Sequence, residues 1–218
     1  IIVTPATTII VGSLIATVLG PVLSSGMNSI GQFVIKATEL RPFFMGIVVS
    51  VVVGMVLTLP ISSAALCMMI GLSGLAGGAA TAGCSAQMVG FAVISYKENG
   101  LGGLVSQGIG TSMLQIPNIV KNWKIWIPAT LASAITGPIS TVVFKMTNIP
   151  IGSGMGTSGL VGQIGTITSM SADGRGTAVI YTSILLVHII LPAILSYVFY
   201  IALKKIGWIK DGDMKLNL

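Results

Sequence analysis

The sequence predicts an all-α, polytopic integral membrane protein with about five transmembrane helices and two glycine-rich re-entrant hairpins. Three observations carry this. Only 7% of the 218 residues are charged, against roughly 25% in a soluble domain. The 16 charged side chains (11 Lys and Arg, 5 Asp and Glu) are gathered so that long stretches carry none. Finally, two of those stretches are too rich in glycine and amides to be ordinary spans. With 53% hydrophobic residues and a mean hydropathy of +0.98, the chain cannot cover itself with a water-soluble surface, which excludes a soluble enzyme and a disordered segment. The pI near 9.6 reflects single and paired lysines. No basic stripe tracks a phosphate backbone, so nucleic acid is excluded as a partner.

About 20 apolar residues cross the hydrocarbon core, and the charge-free stretches accommodate spans near 1–23, 43–59, 64–95, 125–144 and 177–203. Hydrophobic sequence begins at Ile1 without a basic leader, which reads as a piece of a longer membrane protein rather than a signal peptide. FVIKATELRP (33–42) is short and amphipathic and is expected at the interface. Pro60 with Ser62 and Ser63 marks a turn between the second and third spans. In the third, Gly74 and Gly78 form a GxxxG pattern among Ala76, Gly77, Ala79 and Ala80, a surface suited to close helix packing. Cys67 and Cys84 lack His or acidic neighbours at metal-ligand spacing and read as packing residues. Tyr96, Trp123, Trp126 and Trp208 fall near span ends, where an interfacial aromatic belt belongs.

Residues 99–120 and 146–172 are the exceptions. The first holds Gly100, Gly102, Gly103, Gly108 and Gly110 with Gln107, Gln115 and Asn118; the second holds six glycines from 152 to 165 with Thr157, Ser158 and Gln163. Irregular backbone in hydrocarbon leaves polar groups unpaired, so such segments are expected to re-enter and line a cavity. Gly154, Gly156 and Gly159 match GxGxxG, but without a preceding strand they do not make a dinucleotide site. With both stretches re-entrant, Lys36, Arg41, Lys97, Lys121, Lys124, Lys204, Lys205, Lys210 and Lys215 share one side and Lys145 and Arg175 the other, nine against two. The positive-inside rule then puts residues 204–218 in the cytoplasm as a tail on a 1–203 membrane domain. Full crossing by both stretches leaves eight against three and is also compatible with the rule.

Six residues, Gln107, Gln115, Asn118, Thr157, Ser158 and Gln163, offer uncharged donors and acceptors suited to a neutral, hydroxyl-rich solute; alternatively they satisfy one another and the hairpin backbone. Glu98 opens the first stretch and could reach the same cavity. His188, the single histidine, lies mid-helix in YTSILLVHIILPAIL, where a polar group either serves a solute or makes an interhelical hydrogen bond. Tyr181 and Pro192 are expected on its face, and Pro192 frees a backbone carbonyl at that depth. No catalytic arrangement, cofactor or metal site is expected.

LPISSAALCMMIGLSGLAGGAATAGCSAQMVGFAVISYKENGLGGLVSQGIGTSMLQIPNIVKN (59–122), followed by WIPATLASAITGPISTVVFKM and GSGMGTSGLVGQIGT, resembles the membrane permease subunit (enzyme IIC) of bacterial phosphotransferase-system sugar transporters, and within it the PfoR-like branch. The resemblance covers about residues 40–203 and rests on overall pattern. It implies a homodimeric permease in the bacterial cell membrane. Such a protein takes a sugar through a cavity built partly from hairpins, while separate IIB and IIA proteins supply the phosphoryl group. The site residues named above come from their place in the chain and not from the resemblance. The rival readings are a membrane-embedded solute sensor without transport and a purely structural subunit.

Overall fold

One helix organises the chain because it can be approached from every side. The computed structural model describes residues 3–216, and in it Gly74–Ile94 (α4) is buried at every position from 76 to 88. Its Gly, Ala and Ser side chains let neighbouring backbones come close where lipid provides no hydrophobic drive between helices. Around it stand Pro42–Thr58 (α2), Trp123–Val143 (α7) and Thr177–Lys205 (α10). A Cβ at Gly78 would overlap the Met146 carbonyl, and one at Gly83 the Ser50 carbonyl, so α4 packs backbone to backbone at these two glycines. A Cβ at Gly74, the other half of the expected GxxxG pair, would meet nothing within 4 Å, so that position is not part of the close-packed surface. α4, α7 and α10 are each long and apolar enough to cross a membrane. Exposed Phe43, Val48 and Val52 on α2 and Leu185, Ile189, Ile194 and Val198 on α10 form an apolar outer face.

Several element bounds differ from the sequence-based expectation, each for a local reason. Val3–Leu40 (α1) is one helix of 38 residues, so the segment expected separately at the interface over 33–42 is mostly its last turns. The stretch 64–95 is two helices, Ser63–Met69 (α3) and α4. Between them Gly71 and Gly74 take left-handed φ of 63° and 61°, which break the helix at little cost only because they lack a Cβ. Gly74 and Asn148 then exchange backbone hydrogen bonds of 2.9 and 3.1 Å.

α10 contains a π-turn over Leu185–Ile190, one turn before Pro192, whose ring nitrogen cannot donate to the His188 carbonyl. The turn shifts the helix face by about one residue. Ile180 is therefore buried with His188, while Tyr181, expected on that face, is 56% exposed. Trp126 also departs from expectation: its Nε1 donates to Gln87 in the interior, whereas Tyr96, Trp123 and Trp208 remain at the surface.

The first glycine-rich stretch is Tyr96–Val105 (α5), a π-turn, a 3-10 turn and Ile116–Lys121 (α6); the second is Pro150–Ser153 (α8), an irregular tip and Val161–Ala172 (α9). Each is closed at its base. Asn99 and Asn118, at the two ends of the first, both donate to the chain's last described residues, at the Met214 and Lys215 carbonyls. At the base of the second, Ser169 donates to Thr147 (2.9 Å), Thr147 to Asp173 (2.7 Å), and Arg175 to the Phe144 and Lys145 carbonyls.

These two bases lie at opposite ends of α7, whose 21 residues rise about 31 Å at 1.5 Å each. The hairpins thus enter from opposite ends of the bundle. They meet where Thr157 Oγ1 donates to the Gly108 carbonyl at 2.5 Å.

Candidate functional site

The eight residues proposed from sequence separate into two groups with different chemistry. Gln107, Gln115 and Asn118 form a ladder inside the first hairpin. Asn118 Nδ2 donates to Gln115 Oε1 (2.9 Å), Gln115 Nε2 to Gln107 Oε1 (2.9 Å), and Gln107 Nε2 to Ser95 Oγ (2.8 Å). Gln107 and Gln115 are fully buried, and the ladder satisfies the amides that an irregular hairpin must otherwise expose. Its two outer amides also hold the tail: Gln115 Nε2 donates to Met214 O and Asn118 Nδ2 to Lys215 O.

Glu98 belongs to the same construction. Its two carboxylate oxygens accept the Gly212 and Met214 N–H groups, both at 3.0 Å, and neighbouring Asn99 accepts from Leu216 N while donating to Met214 O. Asn122 adds bonds to Trp208 O and the Asp213 carboxylate. Residues 208–216 are thereby strapped across the base of the first hairpin, with Met214 buried among Phe91, Ile94 and Ile119. A cleft of about 610 Å³ opens beside the strap, lined by Pro117, Lys121 and Lys215 among others.

Removing the Glu98 carboxylate should loosen this strap without unfolding the bundle. In Glu98→Ala the Gly212 and Met214 amides lose charged acceptors, each worth about 1.5–3 kcal/mol. Solvent screening at this half-exposed position reduces that, so their hydrogen exchange should speed up by roughly tenfold. Amides in α4 should not change.

The second group sits around the hairpin tips. Thr157 is buried against Gly108 and the Met88 sulfur, and Ser158 lines a cleft of about 140 Å³ with Ser62, Ser63, Gly110 and Thr111. That is smaller than the roughly 300–1,000 Å³ usual for ligand sites. Gln163 stands one turn beyond the tip on α9, and its Nε2 lies 3.3 Å from His188 Nδ1. Both side chains are buried, yet Gln163 Oε1 and His188 Nε2 have no hydrogen-bond partner among the described residues. With Nδ1 accepting from the amide, Nε2 carries the proton, so the pair leaves one donor and one acceptor without a partner. His188 stands on the π-turn, a distortion frequent at functional sites.

Two residues that the sequence reading passed over hold the frame. Gln87, fully buried on α4, accepts from Trp126 Nε1 (2.9 Å) and donates to Thr130 (3.2 Å), while Thr58 bridges it to Ser112 in the first hairpin. Asn148 donates to Thr81, Gly162 O and Thr166 and accepts from Ile149 N, pinning the second hairpin to α4. Each is a lone amide in an apolar or glycine-rich run, the same signal that singled out His188. Among the described residues no group of three or more His, Cys, Asp or Glu could hold a metal ion.

The family model described as "Phosphotransferase system, EIIC" matches residues 1–216. No curated protein and no solved structure matches the chain.

Proposed function

The chain belongs to the phosphotransferase-system EIIC family, the membrane sugar-permease component of such systems, and from that premise we propose that it carries a neutral sugar by alternating access while a separate IIB protein, charged by IIA, phosphorylates it. The single observation that supports this best is the contact of two hairpins entering from opposite ends of the bundle, at Thr157 and Gly108. A barrier built from two facing tips opens to one side or the other by withdrawing one hairpin, which is what alternate exposure requires.

Thr157, Ser158, Gln163 and His188 are the residues proposed to receive the sugar. Glu98, Gln107, Gln115 and Asn118 are proposed to act on it indirectly, by setting the position of the first hairpin, because their hydrogen bonds are made to one another and to the strap. We place the lysine-rich ends and the strap on the cytoplasmic side of a bacterial cell membrane by the positive-inside rule, and a homodimer follows the family resemblance.

Reconstituted protein tests the reading. Labelled hexoses and hexitols are offered to proteoliposomes with and without phosphorylated IIB. Accumulation of one of them as its phosphate, dependent on IIB, is the expected result. Saturable binding without flux in either condition would replace the permease by a sensor.

A further inference from the structure

We propose that a cleft between the end of α4, α5 and the last turns of α10 binds one anionic phospholipid. Two clefts share a wall there. One, of about 300 Å³, is floored by Val93, Ile94 and Leu104 with Tyr197. The other, of about 400 Å³, is rimmed by Lys97, Lys204 and Lys205. Lys97, Tyr197 and Tyr200 line both, so an apolar trough runs directly into a cationic mouth.

The charge at the mouth is not cancelled. Lys204 pairs with Asp211, and the ammonium holds that carboxyl below its usual range, so one acid stands against three lysines. Glu98, next to Lys97 in sequence, lines neither cleft and turns both oxygens to the strap's Gly212 and Met214 N–H groups; counted with Asp211 it still leaves the three lysines in excess. Lys204 also sits over the Tyr200 ring at 5.7 Å and reaches its hydroxyl at 3.4 Å, which fixes the ammonium at the mouth. Lysine stems along apolar surface with ammonium heads at its edge, beside tyrosine, are what a headgroup boundary requires. A free phosphate would leave the trough unfilled, and a neutral lipid would leave the lysines without a counter-charge. The surrounding surface, exposed Leu101, Val105 and Val198, is itself apolar, which suits an acyl chain lying in the trough.

Native mass spectrometry of the detergent-purified full chain, with dioleoyl phosphatidylglycerol and dioleoyl phosphatidylcholine added in equal amounts, tests the site. One phosphatidylglycerol should be retained about tenfold over phosphatidylcholine. Lys97→Gln/Lys204→Gln/Lys205→Gln should lower retention to the phosphatidylcholine level. Lys121→Gln/Lys124→Gln/Lys215→Gln, with the same charge loss elsewhere, should not. Leu104→Trp, which fills the trough and leaves every charge in place, should also abolish retention, and unchanged elution on size exclusion shows that each variant is folded. Equal retention of the two lipids, or full phosphatidylglycerol binding by the first triple variant, overturns the proposal. Displacement by millimolar glycerol phosphate would show a soluble-anion site instead. Binding of an acidic protein such as IIB to the same lysines without lipid retention would show a protein surface.

Discussion

Gly83→Val should leave the chain without a folded state. At this position α4 meets α2 backbone to backbone: a Cβ would overlap the Ser50 carbonyl, and the Gly83 carbonyl itself lies 2.8 Å from where a Cβ on Gly54 would stand. Ser133 of α7 donates to the Gly83 carbonyl at 3.2 Å while Ser50 donates to the Ser133 carbonyl at 2.8 Å, so three helices are tied at this level. No rotamer change relieves a clash with a carbonyl. α2 would have to withdraw, breaking the Ser50 bond and opening the interface that gives membrane helices their mutual packing energy. The cost is about 3 kcal/mol or more, the upper end for overpacking, because the obstacle is backbone and not a flexible side chain. Fluorescence-detected size exclusion should show no monodisperse peak. Gly102→Ala is the matched control: its Cβ meets nothing within 4 Å, and a helical Gly→Ala change gains up to about 1 kcal/mol. A Gly83→Val protein melting within a few degrees of the parent would refute the α2–α4 contact.

The same glycines explain which parts of the fold could be read in advance. Membrane class followed from where charges are missing, and the irregular, broken-helix character of both glycine-rich stretches from their glycine and amide content, since neither property depends on distant contacts. Helix bounds were less legible. Gly71 and Gly74 look like packing glycines in a sequence, and only their left-handed backbone reveals the break between α3 and α4. The π-turn at 185–190 has no sequence signature beyond Pro192, yet it moves Tyr181 off the His188 face.

The polar residues were recognisable one by one because each is costly in an apolar setting, but their partners were not. Glu98 finds Gly212 and Met214 across 114 and 116 positions of chain, a pairing set by tertiary fold and invisible to local spacing. Gln107, Gln115 and Asn118 proved to satisfy one another, the plainer of the two readings their chemistry allowed. Gln163 and His188 meet in one hydrogen bond, yet each keeps a buried atom without a partner, as do the hydroxyls of Ser85, Ser140 and Ser196.

His188→Leu/Gln163→Leu should raise stability and abolish transport together. Each buried polar atom without a partner costs about 1–3 kcal/mol, and the pair contains two, Gln163 Oε1 and His188 Nε2. Replacing both residues by apolar side chains of similar volume removes both penalties along with their single 3.3 Å contact, so the double variant should gain about 2 kcal/mol, read as a rise in melting temperature. The single change His188→Leu brings none of that gain: it removes one unpaired atom, His188 Nε2, and creates another, Gln163 Nε2, so its melting temperature should stay close to the parent's. Under the proposed function, the free donor and acceptor of this half-satisfied pair are used in another state, by a hydroxyl of the sugar. Sugar phosphate accumulation in proteoliposomes supplied with phosphorylated IIB should therefore fall about a hundredfold in the double variant, the loss of two hydrogen bonds to the solute at about 1.4 kcal/mol each. Sugar-dependent thermal stabilisation should vanish with it. If the double variant is more stable and still transports at the parent rate, the pair is packing, and the solute path runs through the Ser158 cleft without it.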